Sequence, residues 1–261
     1  FRMDADPMAI IQFDWVTDDK IVFSARQQVR DKIDGFNQGV YEYSGGILTL
    51  DRDPKKSTWK KLKSLGRGGI ENVLPKYKDN IIISGYNKGQ RSRNYYNYNI
   101  RRGTKKLITK ESAKRKQIGF DEDANPISAV GYDGVTNSYV YYHREKDSTE
   151  WDIIQSQDRA DFQTWRTLGF DPEKKSNLLV LANNGNDKIG LWSFNPETKE
   201  HEELIYRRSD GDLFEYAIKR HSNKYQNPDQ VVAVGYFEGR DLRYYWLDAE
   251  EEAIHQQLRD I

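Results

Sequence analysis

Short apolar stretches punctuate the chain at a regular beat. Ile21-Val22-Phe23-Ser24, Ile81-Ile82-Ile83-Ser84, Tyr139-Val140-Tyr141-Tyr142, Leu178-Leu179-Val180-Leu181 and Val231-Val232-Ala233-Val234 are each the length of a strand and rich in branched or aromatic residues. Turn-forming residues precede them: Thr17-Asp18-Asp19, Lys78-Asp79-Asn80, Val135-Thr136-Asn137, Lys175-Ser176-Asn177 and Asn227-Pro228-Asp229. A second strand pattern follows at Gly46–Asp51, Tyr95–Ile100, Trp151–Gln155 and Gly190–Asn195. Closing strands are expected at Trp59–Leu62, Lys105–Ile108, Trp165–Leu168 and Glu202–Ile205, after polar turns.

Aligned on the first runs, the unit repeats every roughly 40 to 60 residues, a spacing in the range of propeller blades. The expected fold class is all-β: a β-propeller of about five four-stranded blades, residues 1–261 making one domain. A β-sandwich with long loops is the alternative. At the C-terminus the pattern changes. Asp248 stands three residues before Glu251, a capping-box spacing, and Ile254 and Leu258 share one helical face. A short helix is expected there, with that face against a neighbouring element.

Composition agrees. Aromatic residues make up 13% of the 261 positions and the whole hydrophobic class only 36%, which suits pleated sheets better than a helical bundle. Lys plus Arg equals Asp plus Glu at 41 each, so no overall charge draws the chain to a polyanion. With no cysteine, disulfides, thiolate catalysis and Cys-ligated metals are excluded. The longest apolar run, Leu178 to Ala182, is far short of the ~20 residues of a membrane-spanning helix. The first residue is Phe1, not Met, and the natural start is expected upstream.

Candidate chemistry is sparse. Ser44 and Ser84 lack the Gly-x-Ser-x-Gly setting of a nucleophile elbow. His143, His201, His221 and His255 are scattered and form no HExxH pattern. Asp121-Glu122-Asp123 and Asp210-Gly211-Asp212 offer oxygen ligands without the alternating loop and distal Glu of a calcium site. Gly66-Arg67-Gly68-Gly69 lacks the spacing of a phosphate loop. From Lys88 to Lys116, eleven basic residues stand against the single acidic Glu111, interleaved with Tyr95, Tyr96 and Tyr98. That mixture suits single-stranded nucleic acid, or a blade whose tyrosines pack between sheets while its lysines are solvated. The second reading is preferred, so no nucleic acid is expected. No catalytic, cofactor-binding or metal-binding residue is assigned.

The run Ile10-Ile11-Gln12-Phe13-Asp14-Trp15-Val16-Thr17-Asp18-Asp19-Lys20-Ile21-Val22-Phe23 resembles an early blade of the N-terminal propeller of prolyl oligopeptidase family serine peptidases. Asn72-Val73-Leu74-Pro75 before Asn80–Ser84 resembles a later blade, and Asn99–Gly103 its following turn. Trp165–Leu168, Ala182–Trp192, Tyr206–Asp212, Val232–Tyr236 and Tyr245–Asp248 continue the likeness over nearly the whole chain. Ala129–Gly134 departs from the commoner Trp-bearing blade. The resemblance implies a non-catalytic propeller segment that gates or positions peptides for a C-terminal α/β-hydrolase domain of the parent chain. No position carries the family's catalytic motif. Such propellers usually have more than five blades, which implies an incomplete or open ring and self-association through exposed edges. A stand-alone scaffold for protein partners is the alternative function. A complete propeller glycosidase, with paired carboxylates, is a third.

Overall fold

The computed structural model describes residues 8–30, 40–61, 69–74, 76–87, 89–161, 163–221 and 230–259. Nineteen strands and one α-helix are found among them. The first sheet is β1 (Ala9–Thr17), β2 (Lys20–Arg30), β3 (Val40–Thr49) and β4 (Thr58–Lys61), paired in that order. The second is β5 (Ile70–Val73), β6 (Asn80–Tyr86), β7 (Arg93–Asn99) and β8 (Thr104–Lys110). The third runs β9 (Lys116–Phe120), β10 (Pro126–Asp133), β11 (Ser138–His143) and β12 (Asp152–Asp158). The fourth is β13 (Trp165–Phe170), β14 (Leu178–Ala182), β15 (Gly190–Asn195) and β16 (Glu200–Tyr206). The fifth has three strands, β17 (Leu213–Arg220), β18 (Val231–Glu238) and β19 (Asp241–Trp246), and α1 (Ala249–Arg259) follows it. These are the five antiparallel up-and-down blades of the β-propeller fold class.

The chain divides into two compact units, residues 1–127 and 128–261, with the boundary inside β10. In the first unit, Val16, Val22 and Ile47 of the first sheet pack on Ile81, Ile83, Tyr96 and Tyr98 of the second. The other face of the second sheet carries Ile82, which packs with Leu74, Ala124 and Phe120. Being covered on both sides, β6 is apolar at consecutive positions instead of alternating. The second unit repeats this at β14. Leu179 and Leu181 pack with Leu191, Leu213 and Val234. Leu178 and Val180, on the opposite face, pack with Trp165 and Phe194. All five residues of β14 are buried, each large one contributing about 1.5–3 kcal/mol.

The turn residues explain the beat. Asp79 (φ 68°) and Asn137 (φ 53°) sit in the left-handed region that Asx side chains tolerate, just before β6 and β11.

The sequence-based phase slips in the third blade. In the other four, the strong apolar run is the second strand, but Tyr139–Tyr142 is the third strand of its sheet, after β9 and β10. Trp165–Leu168 consequently opens the fourth blade instead of closing the third. The less typical Ala129–Asp133 stretch is the missing second strand, half-buried and therefore weakly patterned. Leu62, Gly66 to Gly68, Pro75, Lys88 and the 227–229 turn lie outside the described residues.

The helix forms as capped: Asp248 Oδ1 accepts from the amides of Glu250 (3.0 Å) and Glu251 (3.1 Å). Its orientation differs from expectation. Ile254 and Leu258 are exposed, while His255 packs on Trp246, ring centroids 5.2 Å apart, and Glu251 pairs with His221 at 3.3 Å. No described helix is long and apolar enough to cross a membrane.

Candidate functional site

The chemistry-bearing residues singled out in the sequence serve mostly structure. Ser84 is buried and donates to Glu71. Ser44 lies in the β2–β3 ladder opposite Ala25. His143 ends β11, paired with Ser128 and Asp152. His201 lies edge-on to Trp192 and Phe194, and burial pushes its pKa down. His255 is pushed down by burial, then by Lys219 and Arg259. Asp121 closes its own turn, accepting from the amides of Asp123 and Asn125, and Lys76 pairs with Glu122 and Asp123. Asp210 pairs with Arg208 at 2.6 Å, and Asp212 accepts from the Ile189 amide. No cluster of three or more metal-ligating side chains is found among the described residues.

The basic segment resolves the same way. Tyr95 is 1% exposed, and Tyr96 and Tyr98 are buried beside it. The Tyr95 hydroxyl donates to Glu111 (3.1 Å) and accepts from the Ile118 amide (3.3 Å). Burial, then Glu111, pushes its pKa far up. These rings are core and present no stacking platform; Lys106 and Lys110 are exposed, and Lys105 lies over the Tyr96 ring, Nζ 4.7 Å from its centroid.

Beside the exposed Tyr132–Tyr139 pair, two exposed aromatic surfaces stand out among the described residues, one in each unit. In the first, register places Phe13 opposite Phe23, Trp15 opposite Ile21 and Trp59 opposite Leu48. This face is the reverse of the one holding Val22 and Ile47. Phe13 is 62% exposed and Trp59 65%. Pairing is one-to-one from Gln12 to Trp15, between register shifts at Ile10/Gln12 and Trp15/Thr17, and the Phe23 ring lies across Gly46.

The second surface is built on an irregularity. In β17, Phe214 pairs with Gly235 but the next partner, Ile218, pairs with Val234, so Glu215, Tyr216 and Ala217 bulge out of the ladder. Gly235 makes this possible: a Cβ there would lie 2.4 Å from Ala217 Cβ and 3.0 Å from its carbonyl oxygen. The bulge leaves Tyr216 70% exposed. Neighbouring strand β13 contributes Arg166. Alternation sends Trp165 into the core, 4.5 Å from Tyr141 and 5.5 Å from Phe194 between ring centroids, and turns Arg166 the other way. The Arg166 guanidinium carbon lies 5.0 Å from the Tyr216 ring centroid, a cation–π distance. Phe214 stands 5.7 Å from Tyr216 and 5.1 Å from Phe237. Arg220 Nη2 donates to the Leu168 carbonyl at 3.0 Å, tying β17 to β13.

The cluster's electrostatics involve one anion. Glu215 holds the Tyr216 pKa up, mainly through a hydrogen bond with the phenol. Tyr141, nearby, is pushed up to about 12, chiefly by burial, with Arg166 opposing. No carboxylate stands at ion-pair distance from Arg166 among the described residues. An arginine stacked on a ring keeps its planar N–H edge free for a carboxylate. Sequence reading missed this site. Trp165-Arg166 reads as ordinary alternation, and the only hint in Leu213–Arg220 is aromatic and charged residues side by side at Phe214-Glu215-Tyr216.

No family model matches the chain, and no curated protein matches it. Among solved structures it is similar to Pyrococcus horikoshii acylaminoacyl peptidase, with TM-score 0.48, 10% identity, and 93% of this chain covering 45% of that one. It is also similar to the β-propeller domain of the trilobed protease of Pyrococcus furiosus, with TM-score 0.46, 11% identity, and 93% of this chain covering 81% of that domain. TolB from Acinetobacter baumannii is similar over 78% of this chain and 49% of its own, with TM-score 0.43 and 10% identity. The chain thus spans about half the length of TolB and less than half of the acylaminoacyl peptidase.

Proposed function

We propose that residues 1–261 are a single non-catalytic propeller segment of a prolyl-oligopeptidase-like serine hydrolase, positioning peptides for a C-terminal α/β-hydrolase domain of the parent chain. The observation that carries this reading is the exposed apolar face of the first sheet, which carries Phe13, Trp15 and Trp59. Leaving such a face in water costs about 25 cal/mol per Å², and several aromatics exposed on one sheet face are a mark of protein contact. The peptidase assignment is supported by the Ile10–Phe23 resemblance, whose residues form the β1–β2 hairpin in register, Phe13 against Phe23 and Trp15 against Ile21. The same face supports the second reading, a stand-alone scaffold for a protein partner.

The test is the parent gene downstream of Ile261. A nucleophile elbow followed by Asp and then His, with fluorophosphonate labelling of the full-length product, is expected. A stop codon close after Ile261 overturns the peptidase reading and leaves the scaffold.

A further inference from the structure

We propose that Arg166, Phe214, Tyr216 and Phe237 form a subsite for a peptide carboxylate flanked by an apolar side chain. The inference deepens the peptide-positioning reading above and rests on it for the choice of peptides as ligand. Three observations lead to it. The guanidinium is stacked at 5.0 Å on a ring that the β17 bulge pushes into solvent, so its orientation is fixed before a ligand arrives. It has no carboxylate partner among the described residues, so its N–H edge is open to a bidentate anion. Phe214, Tyr216 and Phe237 are exposed in a row of edge-on and tilted contacts, apolar surface for the side chain next to that anion. Among the described residues no arginine is stacked on Phe13, Trp15 or Trp59 of the first sheet, whose Arg26 lies instead on Tyr41, which makes charge the distinguishing feature of this cluster. Glu215 faces the Tyr216 phenol and adds a negative charge that weakens an incoming anion, selecting for ligands that also gain from the aromatic contact.

The shared chemistry has two sources, the α-carboxylate at a peptide C-terminus and an Asp or Glu side chain. Four probes separate them: acetyl-Gly-Phe as free acid and as amide, and acetyl-Glu-Phe-amide against acetyl-Gln-Phe-amide. Binding to the 261-residue protein is followed by calorimetry. In at least one pair, the charged member is expected to bind about tenfold tighter than its neutral counterpart, the size of one charge-assisted hydrogen bond. Which pair shows the gap names the source. Arg166→Ala closes the gap, and Arg166→Lys restores only part of it, lacking the fork. Tyr216→Ala weakens both members of each pair, the charged one more because it also frees the guanidinium, and Glu215→Gln widens the gap without touching Arg166. An unchanged melting temperature confirms that each variant is folded. The proposal is overturned if neither pair shows a gap, if the gap survives Arg166→Ala, or if no probe binds saturably. Should Arg166→Ala fail to fold, the Glu215→Gln arm decides: an unwidened gap overturns it. Because these measurements use this chain alone, they stand apart from the gene-level test. A missing hydrolase domain removes the peptidase reading without removing the carboxylate gap, and the reverse holds too.

Discussion

The two units each expose aromatic side chains, on ladders broken to different degrees. On the first sheet, Phe13, Trp15 and Trp59 each keep a cross-strand partner, and the ladder beside them slips by only one residue, at Ile10/Gln12 and at Trp15/Thr17. On the fifth, Phe214 and Tyr216 are presented by a break in the ladder, beside an arginine from the adjoining sheet. A nearly regular face asks to be covered whole by another sheet or domain. A broken one displays a few side chains at fixed angles, at the cost of backbone hydrogen bonds, and so suits a small or extended ligand. Exposure alone does not separate the two; the size of the break does, single residues in β1 against three in β17.

The comparison breaks most sharply at two glycines. Gly235→Ala forces a Cβ against the Ala217 backbone oxygen and Cβ, and is expected to destabilise the protein by about 2–3 kcal/mol. Gly46→Ala meets only the Phe23 ring, a side chain on an open face that can swing aside, and costs less than about 1 kcal/mol. Urea unfolding of both variants checks the pair. Equal losses would mean that the bulge is no more constrained than the first sheet.

Next come the tyrosines. Tyr95→Phe strands the Ile118 amide and removes the donor to Glu111, for an expected loss of about 1–2 kcal/mol. Tyr216→Phe, which loses only an exposed hydrogen bond to Glu215, stays within about 0.5 kcal/mol.

Acid sharpens the contrast differently, because all four histidines belong to the second unit. His201 and His255 are both held below the ordinary value of 6.5, His201 by burial among aromatic rings and His255 by burial and nearby cations. The unfolded chain therefore binds more protons than the folded one just below pH 6.5. Stability is full above that pH and falls as pH drops toward the folded values. Hydrogen exchange at pH 5.5 against pH 7.5 should show loss of protection in β15, β16 and α1, with the first unit little changed. His201→Gln should flatten the dependence in β15 and β16.

The smallest effect is expected from Trp59→Ser and Phe13→Ser. Each changes stability by no more than about 0.5 kcal/mol, yet lowers binding of an apolar dye and any self-association seen by light scattering. If dye binding is unaffected, the first-sheet face is not an adhesive surface.

Much of the fold was legible because blade strands buried on both faces lose alternation. Ile81–Ile83 and Leu178–Leu181 stand out from any window. The third blade was misphased because β10 is half-buried and its neighbour β11 carries the stronger aromatic run. The helix was legible from Asp248 and Glu251, but not its rotation. Glu251 is drawn to His221, and His255 to Trp246 and Tyr244, which turns Ile254 and Leu258 outward. The candidate site was not legible at all. Its bulge depends on Gly235 meeting Ala217, and its cation–π pair joins residues fifty positions apart.

The bulge in β17 is also a store of chain length. Leu213 stays paired with Tyr236, and Ile218 with Val234, while three residues between them answer to no partner on β18. A residue inserted or removed among Glu215, Tyr216 and Ala217 is absorbed there, without flipping the faces of the strand on either side. Loop length can therefore diverge at this spot while the sheet keeps its register, giving the surface around Arg166 a route to new specificity that amino-acid exchange alone does not offer.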